Sequence, residues 1–375
     1  MNVPGIRGWC PTAYRPMMSG DGLLVRTRPR SGRMTADQAR TLADLARRFG
    51  NGLIDLTSRA GLQIRGVTDD AHPELLRALV AADLVDADPG IEARRNIVVT
   101  PFWISGDLTD RLERSLALRL AELPQLPAKS GIAIDTGTAP VLQDVSADFR
   151  FERDEEGGLL LRADGAECGW SIDEAGAFDA LNQMAAWFVE TGGGKSGRMK
   201  RHVSRMPLPG NWRLAVPAGG RDMWSPGRTK EGVVVGVPFG AMSADAFAGL
   251  LAEADPGCVQ VMPRRRLYLE TARPVTHPAF INESSAFLLD VAACPGAPRC
   301  TQATVPTRPI ARQLAKRGLG TLHVSGCAKG CARSGPADVT LVGHDGMFDL
   351  VRGGSVGDTP DRTGISEAGL LELFP

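Results

Sequence analysis

Four cysteines near the C-terminus limit the fold of this chain more than any other feature. They form two pairs, Cys294-x5-Cys300 and Cys327-x3-Cys331, with 26 residues between the pairs. Thiolates bind soft metal centres, and the glycines and prolines around both pairs keep the backbone out of regular structure. We therefore expect two loops that meet in space and hold either a [4Fe–4S] cluster or a zinc ion.

Composition narrows the class of protein. The 375 residues are enough for two or more domains, and 43 Lys and Arg residues balance 43 Asp and Glu residues, which argues against a general nucleic-acid binder. Seven cysteines, four of them clustered, fit a metal site in a reducing cytoplasm better than a disulfide framework. Cys10, Cys168 and Cys258 stand alone and are expected to be small packing residues. No apolar run approaches the roughly 20 residues of a membrane span, and the N-terminus lacks the apolar core of a signal peptide, so we expect a cytoplasmic protein.

One pattern of elements occurs twice at long range. Residues 22–67 predict strand, helix, strand, strand at 23–28, 35–49, 53–57 and 62–67, and residues 232–271 predict the same order at 233–237, 243–254, 258–262 and 267–271. The first helix opens with a capping box of Thr35 and Gln38 and ends at Gly50. Ser243 takes the place of Thr35 in the second copy. The sequence therefore predicts a duplicated protein with pseudo-twofold symmetry.

Other α/β elements lie between and after the two copies. Strands are predicted at 96–100, 131–135 and 339–342, and helices at 109–122, 173–190 and near 308–317. The alternation of apolar and polar residues also predicts that Arg26 and Arg28 share one strand face, as Gln63 and Arg65 do. Such a face is either a plain solvated surface or a platform for a polyanion.

The cysteine spacing, the duplicated half and four short stretches together resemble the sulfite and nitrite reductase superfamily. The stretches are Thr57-Ser-Arg59, Arg95-Asn96, Leu126-Pro-Ala-Lys129 and Gly326-Cys-Ala-Lys-Gly-Cys331. The resemblance implies an α+β fold with duplicated ferredoxin-like half-domains and two reductase-type α/β domains. It places the half-domains at 1–90 and 228–280, and the α/β domains at 91–215 and 281–375. In the superfamily the four cysteines hold a [4Fe–4S] cluster, and the last one bridges it to sirohaem.

Two departures point to one branch of this superfamily. The reductases carry a second lysine two residues after the first, but Lys129 is followed by Ser130 and Gly131, and the chain is short for an assimilatory reductase. Together with the segments 7–11, 19–26 and 55–66, these two features make the chain resemble the precorrin-3B synthase family. That resemblance implies oxygen-dependent hydroxylation of precorrin-3A, with lactone formation, in aerobic cobalamin biosynthesis. It also implies reducing equivalents from NAD(P)H, directly or through an electron-donor protein, and allows a mononuclear non-haem iron whose ligands the sequence does not indicate.

The resemblance assigns roles to particular residues. Cys294, Cys300, Cys327 and Cys331 would bind the cluster. Arg59, Arg95 and Lys129 would face the macrocycle as catalytic residues, and Arg26, Arg28 and Arg65 would bind its carboxylates. Two alternatives remain: a sirohaem-dependent sulfite or nitrite reductase, and a zinc-stabilised binding module, which the unequal x5 and x3 spacers disfavour.

Overall fold

Four five-stranded sheets organise the computed structural model, which describes residues 11–137, 140–221, 225–283 and 287–375. Cys10, and with it all but the last residue of the segment 7–11, lies outside the described residues. We call the sheets I to IV in the order in which the chain enters them. The elements of the first half are β1 (Met17–Ser19), β2 (Gly22–Thr27), β3 (Arg33–Thr35), α1 (Ala36–Phe49), β4 (Leu53–Leu56), β5 (Leu62–Val67), α2 (His72–Ala81), α3 (Pro89–Arg94), β6 (Ile97–Val99), α4 (Leu108–Arg119), β7 (Ile132–Asp135), β8 (Phe149–Arg153), β9 (Leu159–Ala163), β10 (Trp170–Ile172), α5 (Ala177–Glu190), α6 (Gly193–Ser196) and α7 (Met199–Val203).

The second half of the chain follows the same plan. Its elements are β11 (Gly227–Arg228), β12 (Val233–Gly236), β13 (Ala241–Ser243), α8 (Ala244–Ala254), β14 (Cys258–Met262), β15 (Arg266–Leu269), β16 (Val291–Ala293), α9 (Arg308–Leu314), β17 (Leu322–Ser325), β18 (Ala337–His344), β19 (Met347–Gly354), β20 (Arg362–Ile365) and α10 (Glu367–Leu373). Sheet I has the order β1-β2-β5-β4-β13, sheet II β10-β9-β8-β7-β6, sheet III β11-β12-β15-β14-β3, and sheet IV β16-β17-β18-β19-β20. Every element predicted from the sequence is present, with bounds shifted by a few residues.

Sheets I and III exchange one strand with each other. Strand β3 of the first copy pairs with β14 of the second, where Met34 faces Val259, and β13 of the second copy pairs with β4 of the first, where Met242 faces Ile54. A left-handed Ser31-Gly32 turn precedes β3, and a left-handed Phe239-Gly240 turn precedes β13, 208 residues later. The exchange is reciprocal, so the predicted duplication and its pseudo-twofold symmetry are confirmed.

The two copies also share one hydrophobic core. Helices α1 and α8 bury their apolar faces between sheets I and III, together with apolar residues of both sheets. Helix α1 begins with the predicted capping box: Thr35 Oγ1 accepts from the Gln38 amide at 3.1 Å, and Gln38 Oε1 accepts from the Thr35 amide at 3.0 Å. Since each sheet contains a strand from the other copy, neither copy can complete its sheet alone.

Sheets II and IV repeat a second motif. In sheet II the strands β6, β7 and β8 run parallel and β9 and β10 are antiparallel additions; in sheet IV the strands β16, β17 and β18 run parallel and β19 and β20 are antiparallel additions. Each sheet has a hydrophobic core of its own. Loops at the carboxyl ends of neighbouring parallel strands lie side by side. Binding sites in such sheets are commonly formed by these loops.

Candidate functional site

The four cysteines lie on two loops at the carboxyl ends of adjacent parallel strands. Cys294 directly follows β16, and Cys327 follows β17 after Gly326; the two strands are paired with Ala293 facing Val324. The Cys294 amide donates to the Val324 carbonyl at 3.3 Å. The sheet therefore fixes one cysteine of each pair beside the other.

The second loop also supplies a hydrogen bond to a cysteine sulfur. The Gly326 amide donates to Cys294 Sγ at 3.2 Å, and the Thr304 amide donates to the Gly326 carbonyl at 3.0 Å. A Cβ at Gly326 would lie 2.6 Å from Ala303 Cβ, so only glycine allows this approach. Amide donors to sulfur stabilise thiolates and tune iron–sulfur clusters.

The four cysteine thiols also lie near enough to influence one another's pKa. Burial raises the pKa of Cys331, and the charges of Cys294, Cys327 and Cys300 raise it further, while Lys329 opposes them. Burial is likewise the main cause of the raised pKa of Cys327, to which Cys300 and Cys294 add. Thiolates that repel one another in a partly buried site favour a cationic occupant.

The thiols are not arranged around a single ion. No three Cys, His, Asp or Glu side chains in the described ranges are grouped closely enough to hold one metal ion. Zinc bonded at about 2.3 Å to four sulfurs would need them within about 4 Å of each other. A [4Fe–4S] cluster binds each thiolate to a different iron and so accepts a wider spread. The donor set fits the cluster, which Cys294, Cys300, Cys327 and Cys331 would hold.

Arg65 connects sheet I to the first cysteine loop. Its side chain is only 2% exposed, and it forms ion pairs with Asp21 and Asp55 at 2.8 Å each. Its Nη2 also donates to the carbonyl of Arg299 at 3.2 Å, and the same carbonyl accepts from Ser19 Oγ at 2.8 Å. Arg299 precedes Cys300, so a buried ion-pair network holds the backbone beside this cysteine.

The contacts of Arg65 give it a structural role. Gln63 and Arg65 share a face as predicted, and a left-handed Gly66 then shifts the register so that Val67 returns to the core. The guanidinium, however, is fully engaged with groups of this chain. Arg65 therefore links sheet I to the cysteine loop, and its role in binding substrate carboxylates stays a prediction.

The other arginines of this region are placed as follows. Arg26 faces Gln63 across β2 and β5, and its Nη2 donates to Gln63 Oε1 at 2.7 Å. Arg28 lies just beyond β2, 3.9 Å from a Glu92 oxygen. Both side chains are partly exposed, and their roles in substrate binding stay predictions.

Arg95 is buried between sheets I and II. It is 8% exposed, with Nη1 donating to Glu92 at 2.8 Å and Nη2 donating to the carbonyl of Arg28 at 2.7 Å. Burial raises the pKa of Glu92, and Arg95 and Arg28 oppose that rise. Arg95 therefore joins sheets I and II and positions Arg28, and its role beside the macrocycle stays a prediction.

The Arg59 side chain lies against the backbone of Lys129. Arg59 Nη1 donates to the carbonyl of Lys129 at 2.9 Å, and Nη2 donates to Ser146 Oγ at 3.1 Å. The same hydroxyl oxygen accepts from Arg198 Nη1 at 2.9 Å, while Arg198 Nε pairs with the buried Asp148. Arg198 belongs to a basic run in the sequence, but only its position beside Arg59 singles it out from Lys195, Lys200 and Arg201.

Gly131 occupies the position at which the sequence resemblance places the second lysine of the reductases. A Cβ at this position would lie 2.8 Å from Nδ2 of Asn96. Asn96 is buried, and its Nδ2 donates to the carbonyl of Ser130. A lysine therefore has no room here without moving Asn96, which agrees with a site that lacks the oxyanion-binding pair.

His323 is also near the cysteine loops. It lies on β17, fully buried, and burial followed by the charge of Arg333 lowers its pKa to about 4. Neither ring nitrogen has a hydrogen-bond partner among the described residues. It is therefore a neutral imidazole within sheet IV.

Comparison with known proteins bears on these assignments. Residues 15–82 match the nitrite/sulfite reductase ferredoxin-like half domain. A precorrin-3B synthase from Sinorhizobium sp is 28% identical, covering 96% of this chain and 87% of that protein. A ferredoxin–nitrite reductase from Leptolyngbya laminosa is 30% identical, over 34% of this chain and only 27% of that enzyme.

A solved structure extends the comparison to the fold. The structure of the Mycobacterium tuberculosis NirA protein superposes with a TM-score of 0.66 at 18% identity, covering 93% of this chain and 79% of that one. The predicted resemblance and the predicted α+β fold with duplicated ferredoxin-like halves are both confirmed. None of the described helices has the length and apolar character needed to cross a bilayer.

Proposed function

We propose that this protein, which resembles the precorrin-3B synthases within the sirohaem sulfite and nitrite reductase superfamily, is an oxygen-dependent monooxygenase acting on precorrin-3A. It would hydroxylate the macrocycle and form a lactone from an acetate side chain, in aerobic cobalamin biosynthesis. The observation that carries the proposal is the pair of cysteine loops on sheet IV, in a chain that matches such a synthase over 96% of its length.

The reaction balances with a two-electron donor. One O2, two electrons and two protons convert the substrate to the hydroxylated lactone and one water. When bound by the four cysteines, a [4Fe–4S] cluster would supply single electrons that originate from NAD(P)H, directly or through a donor protein.

The residues of the chain contribute binding and positioning. Arg59 and Lys129 would hold macrocycle carboxylates, with Arg26 and Arg28 as further cations on sheet I. Arg95 orients the β2 end that carries Arg28, and the Gly326 amide steadies the Cys294 thiolate. Gly131 leaves no space for a second lysine, which suits an enzyme that has no sulfite to protonate.

A direct test uses anaerobically purified protein. We expect about four irons and matching sulfide per chain, an EPR signal on reduction, and conversion of precorrin-3A that requires O2 and adds one oxygen atom from labelled O2. Cys327→Ser should abolish the iron–sulfur absorption and the activity together. A fully clustered, active Cys327→Ser protein would refute the cysteine assignment, and O2-independent conversion would refute the monooxygenase.

The nitrite reductase relatives favour a second candidate, a sirohaem-dependent reductase. It predicts that sirohaem copurifies with the protein and that nitrite or sulfite is reduced. Sirohaem absorption bands with nitrite turnover would replace the proposal by this alternative.

A further inference from the structure

We propose that a basic groove between β13 and α9 binds a carboxylate arm of the macrocyclic substrate; this rests on the proposed function. The groove has a volume of about 560 Å³. We call it the α9 groove, and its principal lining residues are Phe239, Met242, Arg299, Arg308, Arg312 and Lys316. Neither sequence motifs nor the resemblance pointed to these residues.

The lining carries positive charge without acidic residues. Four of its side chains are cations, and none is Asp or Glu. Arg308, at the first turn of α9, is only 13% exposed, and its Nε is buried without a hydrogen-bond partner in the described part of the chain. Burying a cation without a full set of partners is costly, so an anion from outside the chain would be bound there.

Asp55 does not complete the pairing of Arg308. One Asp55 oxygen lies 3.5 Å from Arg308 Nη2, whereas the other lies 2.8 Å from Arg65 Nη1. A single carboxylate is thus shared between two buried guanidinium groups, and the shorter contact goes to Arg65. Burial lowers the pKa of Arg308, and the charges of Arg65 and Arg299 lower it further.

Arg299 adds a second cation beside Arg308. Its backbone is fixed by Ser19, Gly20 and Arg65 through three hydrogen bonds to its carbonyl. Its half-buried side chain lines the groove and makes no hydrogen bond or ion pair with the described residues. Two guanidinium groups side by side suit the bidentate recognition of a carboxylate.

The cations of the groove lie at different depths. Arg312 and Lys316 are exposed on its rim, but Arg308 lies deeper. A flat protein surface could reach the rim cations, whereas only a slender group such as an acetate or propionate arm would reach Arg308. The apolar wall of Phe239 and Met242 offers contact to the methylene groups of such an arm.

The position of the groove agrees with a macrocycle. Asp55 lies opposite Gln63 in sheet I, and Gln63 lies opposite Arg26, so this row of side chains leads from the α9 groove to the proposed substrate arginines. Arg299 also immediately precedes Cys300. A ligand with several carboxylates spaced around a ring could contact Arg26 and Arg308 together.

The test measures macrocycle binding by the anaerobic holoenzyme. The probe is uroporphyrin III, a stable macrocycle with acetate and propionate arms, titrated by fluorescence quenching. We expect Arg308→Gln to weaken binding at least about tenfold and Arg299→Gln about threefold or more, because each removes a charge-assisted contact. Arg317→Gln, which changes an exposed cation outside the groove lining, should alter the dissociation constant less than about twofold, and Arg308→Lys should recover part of the loss.

Each result separates the groove from the broader proposal. Dissociation constants of Arg308→Gln and Arg299→Gln within twofold of wild type would overturn the groove assignment. Unchanged uroporphyrin binding, with slower reduction of the variants by an acidic electron-carrier protein, would also overturn it and assign the groove to that partner. A wild-type protein with a full cluster but no uroporphyrin binding would refute the macrocycle substrate itself. If Arg308→Gln loses iron or folded structure, Arg299→Gln decides, because its side chain pairs with none of the described residues.

Discussion

Replacing Arg65 by methionine should destabilise the protein strongly, although the residue lies on a β-strand far in sequence from the cysteines. The guanidinium is 2% exposed, and its partners Asp21 and Asp55 have side chains 13% and 9% exposed. Removing one member of a buried ion-pair network leaves the others without compensation and costs about 3–5 kcal/mol. Asp55 keeps its 3.5 Å contact to Arg308 and Asp21 keeps one to Asn51, so we expect the lower end, about 3 kcal/mol.

Thermal unfolding followed by circular dichroism measures this cost. A loss of 1 kcal/mol lowers the unfolding temperature of a large domain by about 2–4 °C. A loss of about 3 kcal/mol should therefore lower the midpoint of thermal unfolding by about 6–12 °C. The matched control is Arg48→Met. Arg48 pairs with Glu74 at 2.5 Å, but these side chains are 67% and 51% exposed, so that change should cost about 0.5 kcal/mol or less.

A second measurement tests the link to the cysteine loop. Arg65→Met also removes the donor to the Arg299 carbonyl beside Cys300, so the iron content of the purified variant should fall, whereas Arg48→Met should keep its iron. In the Arg65→Met/Asp21→Asn double variant one of the two carboxylates that lose Arg65 is neutralised, and part of the lost stability should return. An Arg65→Met midpoint within about 2 °C of the Arg48→Met midpoint would refute the reasoning.

Three further changes give separate tests. Gly131→Lys should lower stability by about 1–3 kcal/mol through overpacking against Asn96, and it should not create nitrite reduction; an unchanged melting midpoint contradicts the packing argument. Burial raises the pKa of Asp135 to about 6, above its value in the unfolded chain. The protonated carboxyl therefore stabilises the fold fully below about pH 4, and up to about 3 kcal/mol of this stabilisation is lost as the pH rises through 6. The stability of Asp135→Asn relative to wild type should therefore be higher at pH 8 than at pH 5, and an equal difference at both pH values contradicts this sign. Arg59→Gln should weaken uroporphyrin III binding about tenfold at unchanged iron content, and equal affinity would remove Arg59 from the substrate site.

Local patterns account for the parts of the fold that the sequence predicted correctly. The capping box at Thr35, the apolar periodicity of α1 and the strand alternation around Gln63 each depend on residues only a few positions apart. The cysteine spacing likewise indicated two loops, and their meeting followed from the chemistry of thiolates. The duplication was visible because both copies retain the same order of elements.

The tertiary structure decided how those elements use their side chains. Asp21 and Asp55 pair with Arg65 within sheet I, and such pairing between strands leaves no local signature in the sequence. The strand exchange of β3 and β13 arises from contacts about 200 residues apart, and no window of sequence contains both partners. The α9 groove also depends on long-range contacts. Ser19, Gly20 and Arg65 donate hydrogen bonds to the carbonyl of Arg299. These bonds fix the first cysteine loop so that Arg299 lies beside Arg308. The chain thus encodes its cysteine loops and its repeat locally, whereas the charged side chains around those loops acquire their partners through long-range packing.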